Sequence, residues 1–448
     1  MKNMLKDFIQ VSGREFTVNN RKIILRGFGV GCWMNIEHFM IGLPGTESLI
    51  RSTLNDVFGK SAADTFFNAY LSNFLSEGDF EYLSSLGINA LRLPVNYHYF
   101  IDDQDPDNFL DDGFKYLDNV LRLCEKYKIY AIIDLHAAPG GQNPDWHSDN
   151  NTGMSQFWHF RCFRDQVARL WGYIASRYAS NPWVGGYDLL NEPFMIPDKN
   201  ILNDFFDTAI AEIRKVDKNH VIFLEGDHFS MDFSMVKNPP DPQVAIEFHY
   251  YPTVWNPEAL SKSMPPEKRT EIFTESFNEM LKLREQFNRP IWCGELGCVI
   301  YRDDPDFTWE LDREMLELCE KNSVSWTLWA YKDSQWMGLV YPDDDTPWIK
   351  LTNNIRNHWS IDGEMETANE ILDLVGEKYF GKIDEDLKYK LQFRLRTLLH
   401  VIYTEHILKP ELKKLTEEQL LQMPESFRFE NCKRWKSLED IIRGFTGS

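Results

Sequence analysis

The feature that most constrains this chain is an alternation: eight short β-rich runs, separated by helical stretches, occupy about the first 380 residues. Glu15–Val18 and Lys22–Leu25, turned by Asn19-Asn20-Arg21, read as a hairpin leading into the first barrel strand. Further strands are predicted at Ala90–Val95, Tyr130–Leu135, Val184–Leu190, Val221–Leu224, Val244–Phe248, Ile291–Gly294 and Val324–Leu328. The intervening stretches have a helical period. Phe163, Val167, Leu170, Trp171 and Ile174 form one apolar stripe, and Phe114, Leu117, Leu121 and Cys124 form another.

An open doubly wound sheet would show the same local alternation. The polar residues separate the two folds, because they fall just after strands spread along the whole chain. A barrel whose site is ringed by its C-terminal strand ends has that pattern, so the expected fold is an α/β (β/α)8 TIM barrel. Residues 1–380 are expected to form the catalytic barrel, N-terminal hairpin included, and residues 381–448 a helical C-terminal extension packed on it. In that extension Leu387, Leu391, Leu395, Leu398 and Ile402 mark a helix predicted to end before Pro410, followed by the charged Lys413–Gln419.

Six strand ends carry the candidate chemistry: Arg92-Leu93-Pro94-Val95-Asn96, Asp134-Leu135-His136, Asn191-Glu192-Pro193, Glu247-Phe248-His249-Tyr250-Tyr251, Gly294-Glu295 and Trp326-Thr327-Leu328-Trp329. A carboxylate ending an apolar run costs several kcal/mol unless paired, so such residues are rarely accidental. Asn-Glu-Pro alone could be a turn, and an Arg or His at a strand end is often structural. Two glutamates on opposing sides of one barrel mouth are more telling. Glycoside hydrolysis needs one carboxyl to protonate the leaving oxygen and another to meet the anomeric carbon. Arg92 is placed to lower a nucleophilic carboxylate's pKa and hold it, Tyr251 to hydrogen-bond it, and Asn191 to reach a sugar 2-hydroxyl.

The run Tyr187-Asp188-Leu189-Leu190-Asn191-Glu192-Pro193, with Ile291-Trp292-Cys293-Gly294-Glu295 downstream, resembles glycoside hydrolase family 5, the cellulase-like retaining barrel enzymes. The resemblance covers about residues 13–380, and the order Arg92, His136, Asn191-Glu192, His249/Tyr251, Glu295, Trp329 matches throughout. It implies Glu192 as general acid/base, Glu295 as nucleophile and Trp329 as the floor of the −1 subsite. Gly29-Val30-Gly31-Cys32-Trp33 through Glu37 is similar to the exo-β-1,3-glucanase branch, which implies that Glu37 grips the terminal sugar. That branch has a second glycine where this chain has Cys32. The fuller runs Gly42–Glu47 and Gln142–Asn150 look more like subfamily 18, bacterial β-mannosidases of short mannosyl-N-acetylglucosamine substrates. Asn96 and Trp146 complete the expected substrate-binding and supporting set. The Asn/Asp/Gly-rich insertion at 140–153 is long enough to wall off a cleft, although such a loop can also be a mobile surface feature.

The expected reaction is therefore retaining hydrolysis of a β-glycoside, as an exo-β-mannosidase, with exo-β-1,3-glucanase or endo-β-1,4-glucanase as alternatives and a non-catalytic sugar-binding barrel as a remote one. His136, His147, His159 and His249 could be imagined as ligands of a metallohydrolase, but no metal-type spacing supports that, and no metal or cofactor is expected. The expected partner is a small oligosaccharide. A net charge of −21 with no basic cluster excludes a nucleic-acid partner. Fourteen Trp, 18 Tyr and 31 Phe supply platforms for sugar faces as well as core. Seven scattered cysteines fit reduced thiols, and no apolar stretch suits a leader or a membrane span, so a cytoplasmic protein is expected. Oligomeric state has no sequence signature here.

Overall fold

The computed structural model describes residues 7–299 and 304–447; residues 1–6, part of the stretch read above for a leader, lie outside them. Among the described residues, eight parallel strands close a barrel: β1 (Arg26–Gly29), β2 (Ala90–Asn96), β3 (Tyr130–Ala137), β4 (Val184–Asp188), β5 (Val221–Leu224), β6 (Val244–Tyr250), β7 (Ile291–Leu296) and β8 (Ser325–Trp329). β8 pairs back onto β1 from Trp326–Arg26 to Trp329–Gly29, which leaves no open edge. The strands read as near-continuous apolar runs because both faces are covered, and every residue of β2, β3, β6 and β7 is buried.

The principal barrel helices are α1 (Phe114–Tyr127), α2 (Arg161–Tyr178), α3 (Lys199–Val216), α4 (Pro266–Phe287) and α5 (Pro305–Lys321). The predicted stripes face the sheet: Phe114, Leu117, Leu121 and Cys124 on α1, and Val167, Leu170, Trp171 and Ile174 on α2, are buried, and Phe163, the first of the α2 stripe, is half-buried. Five strands run beyond their predicted ends, so Asn96, His136, His249, Glu295 and Trp329 lie within strands instead of just past them. β4 does the opposite and stops at Asp188, short of its predicted end; Glu192, four residues further on, adopts φ 50°, a left-handed conformation.

At the N-terminus the predicted hairpin is a three-stranded antiparallel sheet, Ile9–Ser12, Glu15–Val18 and Arg21–Ile23. Leu25 leaves it to join Ile9, Phe16, Ala90, Tyr130, Phe223 and Trp292 in a cluster of buried side chains that closes the barrel floor. This apolar plug leaves the C-terminal strand ends as the place for polar residues.

After the barrel come α6 (Ile361–Tyr379) and α7 (Glu385–Tyr403). The leucine stripe expected to bury α7 does not: Leu387 is 49% and Leu398 58% exposed. Its buried face carries Phe393, Arg396, Leu399 and His400 instead. The cause is Glu364 of α6, which accepts hydrogen bonds from Arg396 Nε and His400 Nε2, both at 2.9 Å, with His38 Nε2 3.9 Å away. A buried carboxylate must be paired, and that need outweighs a weak apolar stripe. The helix also does not stop before Pro410. A π-helical turn, Thr404–Leu408, leads into a short helix, Lys409–Leu412, and Pro410 stands in its first turn, where a missing N–H costs little.

Burial favours the neutral Glu364 carboxyl, but the hydrogen bond from His400 and the neighbouring His38 hold it well below the usual carboxylate range; burial pulls His38 down to about 4. Both groups bind protons more readily in the unfolded chain. Their stabilisation is present at neutral pH and is lost as pH falls, first through the ordinary histidine range and then the carboxylate range. Glu364→Ala is expected to cost about 3–5 kcal/mol at pH 7 in urea unfolding, as for other broken buried pairs. The difference from wild type should shrink toward pH 4. A cost under about 0.5 kcal/mol at pH 7, within the spread of neutral surface substitutions, would show that the cluster does not hold the extension.

Candidate active site

Glu295, near the end of β7, is only 5% exposed. Its Oε1 accepts from Arg92 Nη1 at 2.5 Å and its Oε2 from the Tyr251 hydroxyl at 2.7 Å. Burial and the Glu295 charge both push the Tyr251 hydroxyl well up, so it stays a donor.

Arg92, wholly buried on β2, serves more than Glu295. Nη2 donates to Asp188 Oδ2 at 2.8 Å, Asn191 Oδ1 at 2.8 Å and Glu225 Oε1 at 3.0 Å. Glu247 Oε1 lies 3.0 Å from Nε and Asp134 Oδ2 3.2 Å from Nη1. One guanidinium cannot balance five carboxylates. Burial, with mutual repulsion, pushes the Asp134, Glu225 and Glu247 carboxyls well up, so part of this set is neutral acid.

Glu192 stands opposite. Its backbone N–H donates to Glu225 Oε2 at 2.7 Å and its carbonyl accepts from Asn143 Nδ2 at 3.0 Å, which together hold the unfavourable positive φ. Its side chain lies between two imidazoles, His249 Nδ1 at 2.7 Å from Oε1 and His147 Nε2 at 3.0 Å from Oε2. An oxygen of Glu192, one of Glu295 and a ring nitrogen of His249 all lie within 4.8 Å of one another.

His136 Nδ1 is 2.7 Å from Asp134 Oδ2, and its ring stacks on Trp329 at 5.5 Å and 5°. Burial lowers its pKa, and its Nε2 faces Asn191 Nδ2 at 3.4 Å and Glu37 Oε1 at 3.5 Å. Trp329 can lie there because Gly29 and Gly31 have no side chain: a Cβ would come within 2.4 Å and 2.6 Å of its ring. Cys32, in the position of the exo-glucanase glycine, has φ 65°, a conformation in which glycine carries no steric cost.

The structure therefore brings together Glu37, Arg92, His136, Asn191, Glu192, His249, Tyr251, Glu295 and Trp329. It does not bring Asn96 or Trp146 to the site as sugar contacts. Asn96 Nδ2 donates to Asp149 Oδ2 at 3.0 Å and to Glu47 Oε2 at 3.4 Å, anchoring a loop. The Trp146 ring stacks on His38 at 4.4 Å and lies 4.1 Å under Arg396, so this platform holds the extension. The 140–153 insertion is packed, not a mobile surface loop, with Gln142, Asn143, Ser148 and Asn150 buried.

Sequence reasoning missed His147 as a partner of Glu192, as well as Asn143, Asp188 and Glu225. Glu225 follows the apolar run Val221–Leu224 as Glu295 follows its own, and the same strand-end rule applied to β5 would have found it. His147 had no such mark, because it reaches the site from an insertion. His159, the remaining histidine of the imagined metal set, is exposed.

A closed parallel barrel with two carboxylates facing across its C-terminal mouth is the arrangement of a glycoside hydrolase. Residues 56–335 match the family described as Cellulase (glycosyl hydrolase family 5). The chain belongs to glycoside hydrolase family 5 and acts on β-glycosides. It is 33% identical to a β-xylosidase of Phanerodontia chrysosporium across 97% of each chain. A glucan 1,3-β-glucosidase of Candida oleophila is 30% identical over 54% of this chain and 61% of that protein. Among solved structures, Thermotoga maritima Cel5A in complex with mannotriose has the same fold, with TM-score 0.53 and 18% identity over 71% of this chain and 92% of that one.

Gly29→Ala tests the packing beneath Trp329. Its methyl must displace the indole, so kcat/KM is expected to fall about 100-fold, the scale of a 1 Å misplacement, while the melting temperature moves far less. Unchanged kinetics would show that the position of Trp329 does not matter.

Proposed function

We propose that the chain is a retaining, exo-acting β-mannosidase of short oligosaccharides, with Glu192 as general acid/base and Glu295 as nucleophile. The observation that carries the mechanism is the closeness of the two carboxylates: an oxygen of Glu192 and one of Glu295 lie within 4.8 Å of each other, which favours direct attack by Glu295 over the wider gap that inversion through a water needs. Arg92 and Tyr251 hold both Glu295 oxygens and fix the attacking group in place. Glu192 gives its proton to the leaving oxygen as the anomeric C–O bond breaks. It then takes a proton from the water that releases the glycosyl group from Glu295. Asn191, His136 and Glu37 line the sugar site, with Trp329 beneath.

Exo action is supported by the wall around the site. Residues of the 140–153 insertion bond to the loop after β1, through Asn35 Nδ2 to the His147 carbonyl at 2.9 Å and Asp149 to the Ser48 N–H at 2.8 Å. Arg396 of α7 lies 3.4 Å from Asp145. A cleft braced on two sides suits a chain end better than the middle of a polymer. The mannoside preference rests on the resemblance of the Gly42–Glu47 and Gln142–Asn150 runs to subfamily 18. A β-xyloside is the second reading, favoured by the name of the relative matched along 97% of the chain. Seven unpaired cysteines fit a reducing compartment, the cytoplasm. Among the described residues no helix is long and apolar enough to cross a membrane.

Hydrolysis of aryl β-mannoside, xyloside, glucoside and galactoside, beside mannosyl-β-1,4-N-acetylglucosamine and laminaribiose, tests specificity. Highest kcat/KM on the mannoside and its disaccharide is expected; a preferred xyloside would establish the second reading. For the mechanism, Glu295→Ala should lose at least about 10⁴-fold in kcat on the preferred substrate. With azide and an activated aryl β-glycoside it should form the α-glycosyl azide by one inversion, whereas Glu192→Ala should form the β-azide after two. The opposite anomers would reverse the roles.

A further inference from the structure

The environment of Glu192 contains one group that the two-carboxylate mechanism does not use. His147 comes from the 140–153 insertion, is buried, and brings its Nε2 to 3.0 Å from Glu192 Oε2. The same Nε2 is 2.8 Å from Asn143 Nδ2. The orientation of Asn143 is settled by its other bonds: Oδ1 accepts from the Asp145 N–H at 3.1 Å, and Nδ2 donates to the Glu192 carbonyl at 3.0 Å. Asn143 therefore turns an N–H toward His147, and Glu192 turns an oxygen. A ring nitrogen in the plane of imidazole is a donor or an acceptor, never both. Protonated, Nε2 donates to the Glu192 carboxylate; deprotonated, it accepts from Asn143.

We propose that His147 is the proton store of the acid/base: the free enzyme holds one proton between His147 Nε2 and Glu192 Oε2, and Asn143 stabilises the imidazole once that proton has moved to Glu192. Moving the proton exchanges one hydrogen bond of His147 Nε2 for another, so that nitrogen has a partner in both arrangements. When a glycosidic oxygen arrives beside Glu192, the proton passes from Nε2 to Oε2 and then to the leaving oxygen, which takes the electron pair of the broken C–O bond. In the second half-reaction the attacking water gives its proton to Glu192, from which it can return to His147. Nothing is gained or lost over a cycle. His147 touches no reacting atom, and is a positioning residue that acts through Glu192.

The surrounding charges agree. Glu192 and Glu37 face His147 across the pocket, Asp145 lies beside it on its own loop with Arg396 3.4 Å beyond, and the His136 and Phe229 rings lie 5.9 and 6.1 Å away. Burial disfavours the imidazolium, yet the hydrogen bond and charge of Glu192, with Asp145 and Glu37, push His147 up to about 9. Burial favours the neutral Glu192, yet bonds from His147 and His249 hold it well below the usual range in the empty site. The pair titrates as a unit, and its last proton leaves at the value of the higher member. That loss sets the alkaline limb of activity, present below the raised value and lost as pH rises through it.

This inference rests on Glu192 being the acid/base. His147→Gln keeps a polar side chain and removes the titrating ring. With an aryl glycoside of poor leaving group, the alkaline limb of kcat/KM is expected to move down by more than one pH unit, with at least a tenfold loss at pH 8. With a dinitrophenyl glycoside, which needs no protonation, the variant should stay within about threefold of wild type. A loss of activity at every pH with the limb unmoved would overturn the proposal. Histidine titration by NMR in the full-length wild type is read independently of that variant's folding: the His147 midpoint should drop by more than one unit in Glu192→Gln, and an unmoved midpoint would also overturn it. Glu192→Ala with azide separates the two readings. No β-azide product would remove the acid/base assignment itself, whereas β-azide formation with an unmoved limb in His147→Gln would remove the proton store alone.

Discussion

Arg92 is the interaction on which the rest of the site depends. A single buried guanidinium holds Glu295 and Asn191 and gathers Asp134, Asp188, Glu225 and Glu247 around it. The fixed fork of five N–H donors allows this, and a lysine in the same place could not hold so many oxygens in one plane. Its influence reaches Glu192 through Glu225, which accepts from Arg92 with one oxygen and from the Glu192 N–H with the other. Both proposed catalytic carboxyls are therefore referred to one cation at the barrel axis. The apolar plug beneath makes that possible, because it keeps water and competing polar groups at the other end of the strands.

The second constraint comes from outside the barrel. Glu364, Arg396, His400 and His38 form a buried charged joint between the C-terminal helices and the loop after β1. The joint continues through Trp146 and Asp145 into the insertion that presents His147 and Asn143. A contact more than 200 residues away in sequence thus braces the groups that meet Glu192. The region between residues 361 and 403 adds no strand and no carboxyl to the mouth, yet it rigidifies what the barrel alone would leave as a long loop.

Much of the site was legible because strand ends in a barrel are a repeating address. Glu192 and Glu295 were found by their position after apolar runs, and Arg92, His136, His249, Tyr251 and Trp329 by the same rule. Trp146 and Asn96 support the site through the insertion, and an aromatic ring or an amide near a site has no sign in the sequence of which face is already covered. The α7 stripe failed because an apolar period of five residues was set against one buried carboxylate, and the carboxylate decided the rotation of the helix. His147 was noticed only as an imagined metal ligand, since a histidine inside an insertion has no address relative to the strands.

What the sequence by itself determined is the alternation that closes the barrel and the order of polar residues at the strand ends. These are local matters, set by period and by the cost of burying a carboxyl without a partner. Tertiary structure alone decided the closeness of Glu192 to Glu295, the sharing of Arg92 among five carboxylates, the stacking of His38 and Arg396 on Trp146, and the meeting of His147 with Glu192 and Asn143. Each of these depends on distances between segments far apart in the chain. Hydrogen bonds and burial shift proton affinities only once those distances exist.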